Sequence, residues 1–286
     1  MVQWYINHTC NLSCEHCLSF NNYRFKGSYD WQDNCAAAVQ WNKMITVEDF
    51  TIIGGEPLLH PHCNSWVQGL RSIFDSVEDF KICTNGTVLK NIDPLWLHNW
   101  FDAGVILEIH CHSTAHWHNV WPVLQSVFAG FELVTVPFEE DPRLHRKECR
   151  LYAGGRLAAI VRISDRFLAN GIVSNQKQLK FHNSDAQQAH RHCPISQCHY
   201  IVEGLMYQCA PVAVGRELAA QLPIEPRAAH LYSNYTGVSP YDENLPAALA
   251  ALQQPCDACS LCPVMDTQYL QSKFVTIDPD RTKPRV

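Results

Sequence analysis

The 286-residue chain has no apolar run approaching the about 18 uninterrupted residues of a membrane-spanning helix, and no basic segment followed by an apolar one at its start. Neither a membrane partner nor a secretory signal is expected, and a cytoplasmic location is. An excess of basic residues is missing too. Lys and Arg number 22 against 28 Asp and Glu, a net charge of −6 with the cations scattered. Nonspecific nucleic-acid binding needs basic patches that neutralise phosphates, so no nucleic-acid partner is expected. Cysteine, by contrast, is abundant: there are 14, in a chain whose 47% hydrophobic content suffices for one large domain with a small appendage. Disulfide scaffolds suit chains under about 100 residues, and the clustered C-x2-C spacings point instead to metal held by reduced thiols.

Cys10, Cys14 and Cys17 are spaced C-x3-C-x2-C just beyond the apolar stretch Val2 to Ile6. Three thiolates on one short loop can grip three irons of a four-iron, four-sulfur cluster and leave the fourth open to a small molecule. Zinc, disulfides or coincidence are the alternatives in so cysteine-rich a chain, which makes the context decisive. Val2, Trp4, Tyr5 and Ile6 read as a buried strand whose C-terminal end carries the cysteine loop, where parallel barrels place their chemistry. A second apolar run, Phe50 to Ile53, breaks into Gly54, Gly55, Glu56 and Pro57. Two glycines let the backbone approach a ligand, the carboxylate can take a ligand ammonium, and the proline fixes the turn. A third run, Phe80 to Cys83, ends in Thr84, Asn85, Gly86 and Thr87.

Together the cysteine triad, the Gly54-Gly55-Glu56-Pro57 motif and the Thr84-Asn85-Gly86 strand end resemble the radical S-adenosylmethionine (radical SAM) superfamily, well over residues 1–120 and loosely beyond. The resemblance implies an enzyme with Cys10, Cys14 and Cys17 as catalytic cluster ligands. It implies S-adenosylmethionine on the open iron and its one-electron cleavage to methionine and a 5′-deoxyadenosyl radical, fed by an external electron donor such as flavodoxin or ferredoxin. It also assigns the cofactor's amino end to Gly54 to Pro57 and further contacts to Asn85 and to Ser113 or His112. The residue before the third cysteine, usually aromatic in the family, is His16 here; an imidazole can still pack on an adenine face.

Strand-like and helix-like segments alternate through the first half, as in repeated βα units. Helices are expected over Asn34 to Met44, Cys63 to Phe74 and Pro94 to Ala103, with a fourth strand at Val105 to Ile109, a fifth at Phe131 to Val136 and a sixth at Gln178 to Phe181. Six strands make the α/β partial (β/α)6 TIM-like barrel that the resemblance also implies, over residues 1–185. The basic run Arg143, Arg146, Lys147 and Arg150 reads as a solvated face. His110 and His112 share one face of a strand end, so a two-histidine metal site is geometrically open but not the leading reading. His60 and His62 shape a turn. Cys35, Cys63, Cys83, Cys111 and Cys149 are isolated and read as small hydrophobes.

Cys193, Cys198 and Cys209, then Cys256, Cys259 and Cys262, form a second cysteine group within residues 186–286. Gly204 allows a tight hairpin between Tyr200 to Val202 and Leu205 to Tyr207. The G-x4-C spacing to Cys209 resembles the SPASM or twitch extension of radical SAM enzymes. One auxiliary four-iron cluster is expected on Cys198, Cys209, Cys259 and Cys262, with Cys193 and Cys256 as alternates and a structural zinc as the competing occupant. By the same resemblance the first expected substrate is a peptide or protein, although Cys10 lies too near the start for a preceding leader-binding domain. A small-molecule dehydrogenase acting on an amino sugar or alcohol is the rival, and a non-catalytic iron–sulfur carrier or scaffold the reading from another class.

Overall fold

The computed structural model describes residues 1–141, 146–164, 166–168, 171–175, 178–264, 269–271 and 274–276. The chain begins β1 (Val2–Tyr5), β2 (Leu12–Cys14), α1 (Trp31–Met44), β3 (Asp49–Ile53), α2 (Cys63–Ile73), β4 (Asp79–Thr84), α3 (Pro94–Asp102), β5 (Ile106–Cys111) and α4 (Thr114–Val127). A meander follows, β6 (Leu133–Asp141), β7 (Arg146–Ala153) and β8 (Arg156–Ile163), and then three short strands, β9 (Arg166–Leu168), β10 (Ile172–Asn175) and β11 (Leu179–Phe181). The remainder comprises α5 (Ala186–Arg191), β12 (His199–Val202), β13 (Leu205–Tyr207), α6 (Ala210–Gln221), α7 (Pro226–Asn234), α8 (Leu245–Leu252), β14 (Tyr269–Gln271) and β15 (Phe274–Thr276).

The helix starts follow from local chemistry. Asp30 and Asp93 accept from the backbone N–H groups of Gln32 and Leu95 at the heads of α1 and α3, and Pro94 occupies the first turn of α3. Among the described residues, nine strands form one open sheet in the order β13-β12-β1-β3-β4-β5-β8-β7-β6. The six from β12 to β8 run parallel. β13 at one edge and β7 and β6 at the other are antiparallel. The expected α/β class holds, with α1, α2 and α3 as the crossovers between successive parallel strands.

Alternation along the strands sends side chains to two cores. Trp4, Ile52, Ile82, Leu107 and Val161 join Trp41, Trp66 and Leu70 in the larger one. There Phe50 stacks on Phe80 with ring centroids 4.9 Å apart. Tyr5, Tyr200 and Val202 face the other way, into a second core with Val212, Leu218 and Tyr232 of α6 and α7. The expected hairpin is β12–β13, and both turn residues, Glu203 (φ 50) and Gly204 (φ 76), take the left-handed backbone that a two-residue turn requires. Among the described residues no helix is long and apolar enough to cross a membrane.

Two strand expectations are corrected. Phe131 to Val136 runs into the edge strand β6, where Val134 and Val136 are exposed. The strand beside β5 is β8, whose Ala158–Val161 run is buried as a central strand demands. Gln178 to Phe181 is β11, paired antiparallel to β10 outside the main sheet. The sixth parallel strand is β12, which docks beside β1 and buries Tyr200, Ile201 and Val202 on both faces. Of the basic run, Arg143 lies outside the described residues, while Lys147 and Arg150 sit on β7.

Trp66 has no exposed surface, packs against Trp31 and Trp4 with centroids at 5.2 and 6.3 Å, and donates to the Tyr29 carbonyl at 3.1 Å. Trp66→Ala should cost about 3–5 kcal/mol in chemical denaturation; a loss below about 1 kcal/mol would remove it from the core that supports β1.

Candidate functional site

Beyond Tyr5 the chain crosses the C-terminal edge of the sheet as the segment carrying the three cysteines, and backbone bonds fix its base to the end of β3. Ile6 donates to Ile53 O at 2.8 Å, Gly55 to Asn7 O at 2.7 Å and Glu56 to Thr9 O at 2.8 Å. The two chains lie too close for a side chain between them. A Cβ on Gly54 would stand 2.1 Å from Asn7 Oδ1, and one on Gly55 2.4 Å from the Thr9 carbonyl oxygen. The glycines therefore serve the approach of chain to chain, and their backbone lines the pocket described below.

The Glu56 side chain turns inward. Its Oε1 accepts from Leu58 N at 3.1 Å and Thr84 Oγ1 at 2.7 Å, and its Oε2 from Asn85 N at 2.7 Å. Burial pushes the carboxyl up to about 7, against the opposing pull of these three donors. Glu56, expected at the cofactor's amino end, ties β3 to β4 here through its carboxylate and is not among the residues that line the pocket. Pro57 is likewise buried, opening the turn Pro57–Leu59. Asn85 extends the tie, its Nδ2 donating to Asn11 Oδ1 at 2.9 Å in the cysteine segment.

Cys10, Cys14 and Cys17 converge on one pocket of about 240 Å³. Burial pushes all three thiols up. Leu12 N lies 3.4 Å from Cys10 Sγ, and backbone N–H groups of residues 19–22 pull the Cys17 thiol back down. His16, Asn85, His112 and Tyr200 complete much of the wall, and His112 Nε2 stands 3.8 Å from Cys14 Sγ. Ser113 does not line it. Its hydroxyl caps α4, accepting from His116 N at 3.0 Å, because a helix start leaves that N–H without a partner. His60 shapes its turn as expected, with Nε2 2.9 Å from Tyr29 O and Nδ1 accepting from His62 N.

Cys83, expected to be an isolated hydrophobe, and His110, weighed only as a metal ligand, also line the pocket, and Glu108, which sequence reasoning missed, bonds the His110 ring. The signal was period-two alternation: Lys81 and Cys83 on β4 and Glu108 and His110 on β5 put polar groups on one face of otherwise apolar strands.

In the second cysteine group, Cys193, Cys209, Cys256, Cys259 and Cys262 line a small pocket of about 50 Å³. Cys256 and Cys259 Sγ atoms are 3.7 Å apart across the turn Asp257–Leu261. Cys198 does not line this pocket, and Cys193 takes the place expected of it. The reason is the docking of β12: His199 pairs with Val2, which carries Cys198 toward the amino terminus of the chain. None of the fourteen cysteines is in a disulfide.

Folded Glu56 holds its proton up to about pH 7, above its ordinary value of 4.5. Its contribution to stability is therefore full below the ordinary value and lost as pH rises through the folded one, on the order of 3 kcal/mol. Denaturation curves across that interval should show the loss in the wild type and not in Glu56→Gln; parallel curves would contradict it.

A family model described as a 4Fe-4S single cluster domain matches residues 2–105. GTP 3',8-cyclase from Nostoc sp. (strain PCC 7120 / SAG 25.82 / UTEX 2576) is 29% identical over 158 residues, 46% of this chain and 46% of the relative. The chain thus spans about half the length of that curated relative. Among solved structures, BtrN in complex with AdoMet and 2-DOIA aligns with a TM-score of 0.32 at 19% identity, over 38% of this chain and 44% of that one. Native anSMEcpe with bound AdoMet and Cp18Cys peptide aligns with a TM-score of 0.34 at 13% identity, over 44% of this chain and 40% of that one. Both structural likenesses are partial and carry no weight here. The three-cysteine loop at the end of β1 and the glycine and acid segment clamped beneath it both lie within residues 2–105, the part of the chain that is similar to a 4Fe-4S single cluster domain.

Proposed function

We propose that the protein is a radical SAM enzyme that abstracts a hydrogen atom from its substrate in the pocket beneath the three-cysteine loop. The observation that supports this most is the convergence of Cys10, Cys14 and Cys17 with the Gly54 and Gly55 backbone and the His16 ring on one pocket. The donor set suits a cluster: half-buried thiols ionise against the charge of a bound metal, and the N–H groups aimed at Cys10 and Cys17 stabilise thiolate sulfur. When bound, a four-iron, four-sulfur cluster and S-adenosylmethionine supply one-electron cleavage to methionine and a 5′-deoxyadenosyl radical. The chain's own part is to hold and to orient. Cys10, Cys14 and Cys17 hold the cluster, Gly54 and Gly55 offer backbone groups to the cofactor, His16 offers a ring for its adenine, and Asn85 and His112 close the wall. An external donor such as flavodoxin or ferredoxin supplies the electron.

For the second centre we propose an auxiliary four-iron cluster drawing its ligands from Cys193, Cys209, Cys256, Cys259 and Cys262, as in a twitch-like extension. Leu18 lines both cysteine pockets, so the two centres are neighbours. The division into residues 1–185 and 186–286 is retained as a functional one, catalytic centre against auxiliary centre, since β12 and β13 belong to the main sheet. Peptide or protein maturation follows from the resemblance of this cysteine group to the extension. The charged and polar wall formed by Cys83, His110 and the groups behind them favours the second reading, oxidation of a small polar molecule.

Anaerobically reconstituted, reduced protein given S-adenosylmethionine should release 5′-deoxyadenosine, and Cys14→Ala should lower that release at least about a hundredfold. Iron-loaded wild type that releases none would sink the proposal and leave the electron-carrier reading.

A further inference from the structure

The inner face of β4, β5 and β8 carries side chains that cluster and cofactor binding do not use. Cys83 and Glu108 are register partners across β4 and β5, and His110 lies two residues on, opposite Arg162 of β8. A ligand atom from each of Cys83, Glu108 and His110 lies within 4.8 Å of the other two. His110 Nε2 is 2.8 Å from Glu108 Oε1, and the ring also hydrogen-bonds Cys83. Glu108 is buried, whereas Cys83 and His110 line the pocket that the three-cysteine loop also lines.

Two uses compete for such a group. A divalent cation could sit among the three side chains, but Glu108 Oε1 is already ion-paired with the Arg162 guanidinium, itself held by Glu148 at 3.1 Å. A cation there would face that guanidinium and compete with it for the carboxylate. The other use is the thiol, imidazole and carboxylate order in which the ring exchanges protons with the thiol and the acid fixes the ring. The charged and titratable groups facing His110 are Glu108 on its own strand, Cys83 on β4, Arg162 on β8 and His112 at the strand end. Burial opposes charge on the ring, but Cys83 and Glu108 outweigh it and push His110 up to about 10.

We propose that Cys83, His110 and Glu108 form a proton-relay site on the pocket wall, serving a substrate whose reacting carbon bears a hydroxyl or amino group. This rests on the reading of the pocket as the reaction chamber. In the step itself an O–H or N–H bond of the substrate breaks, its electron pair stays on the oxygen or nitrogen, and the proton passes to the Cys83 sulfur in the form that has given its own proton to the His110 ring. No electron changes hands in that step. Glu108 is a positioning residue that sets the ring's orientation through Nε2.

The test is alkylation of Cys83 by iodoacetamide in the reconstituted holoenzyme, followed by peptide mass spectrometry from acid to alkaline pH. Wild-type Cys83 should be alkylated faster than the same residue in a variant that lacks the imidazole. His110→Gln should slow it at least about tenfold and move its profile toward that of an isolated thiol. Glu108→Gln should move the profile the same way but less, with iron content reporting that each variant is folded. Equal rates and profiles in wild type and His110→Gln would overturn the relay. So would zinc that accompanies the wild type and is lost in His110→Gln. The readout needs no cofactor cleavage, so its failure is distinguishable from failure of the radical chemistry.

Discussion

The Glu56 carboxylate, closed off from solvent, accepts from Leu58, Thr84 and Asn85, while the Glu56 amide donates to Thr9. Asn85, positioned by that carboxylate, bonds Asn11. Glu56, through its carboxylate and its amide, together with Asn85, thereby fixes the ends of β1, β3 and β4 against one another, and the cysteine segment is the strap between them. Three thiols can share one cluster only if their loop is held to a fraction of an ångström, and an isolated loop of this length has no such rigidity. The clamp supplies it from outside the loop, through a carboxyl group whose burial is offset in part by donors from two strand ends.

The two faces of the sheet divide the work. On one, Trp4, Phe50, Trp66 and Phe80 bury large apolar area beneath the helices and hold the strands in register. The other is apolar only near β1 and β12, where α6 and α7 cover it. Over β4, β5 and β8 it carries Cys83, Glu108, His110 and Arg162, each paired within the group. A charged wall inside an α/β sheet serves stability poorly compared with packed hydrocarbon. It is what the proposed relay of Cys83, His110 and Glu108 requires.

Much of this was legible in the sequence, and the failures have physical causes. The Cys10, Cys14 and Cys17 spacing, the strand before each motif and the Gly204 hairpin are local, so spacing and turn chemistry reach them. Strand order is not local. β12 docks beside β1 across nearly two hundred residues of chain, and the apolar pattern of Tyr200 to Val202 says that it is buried but not where. The same docking places Cys198 beside the amino terminus, outside the lining of the second cysteine pocket. The bonds of Glu56 were hidden for a different reason: a residue flanking paired glycines can face a ligand or the neighbouring segment, and only the 2.4 Å clearance at Gly55 shows how closely the two segments run. Cys83, read as an isolated hydrophobe, acquired its neighbours from a register that sequence alone does not give.

The clamp is tested most directly by electron paramagnetic resonance of the reduced, reconstituted protein, comparing wild type with Gly55→Ala. A Cβ at that position collides with the backbone beneath the cysteine loop. The wild type should give a cluster signal that changes on addition of S-adenosylmethionine. Gly55→Ala should lose that response while keeping its far-ultraviolet circular dichroism. A Gly55→Ala protein with the wild-type signal and the wild-type response would contradict the dependence of the three-cysteine site on the clamp.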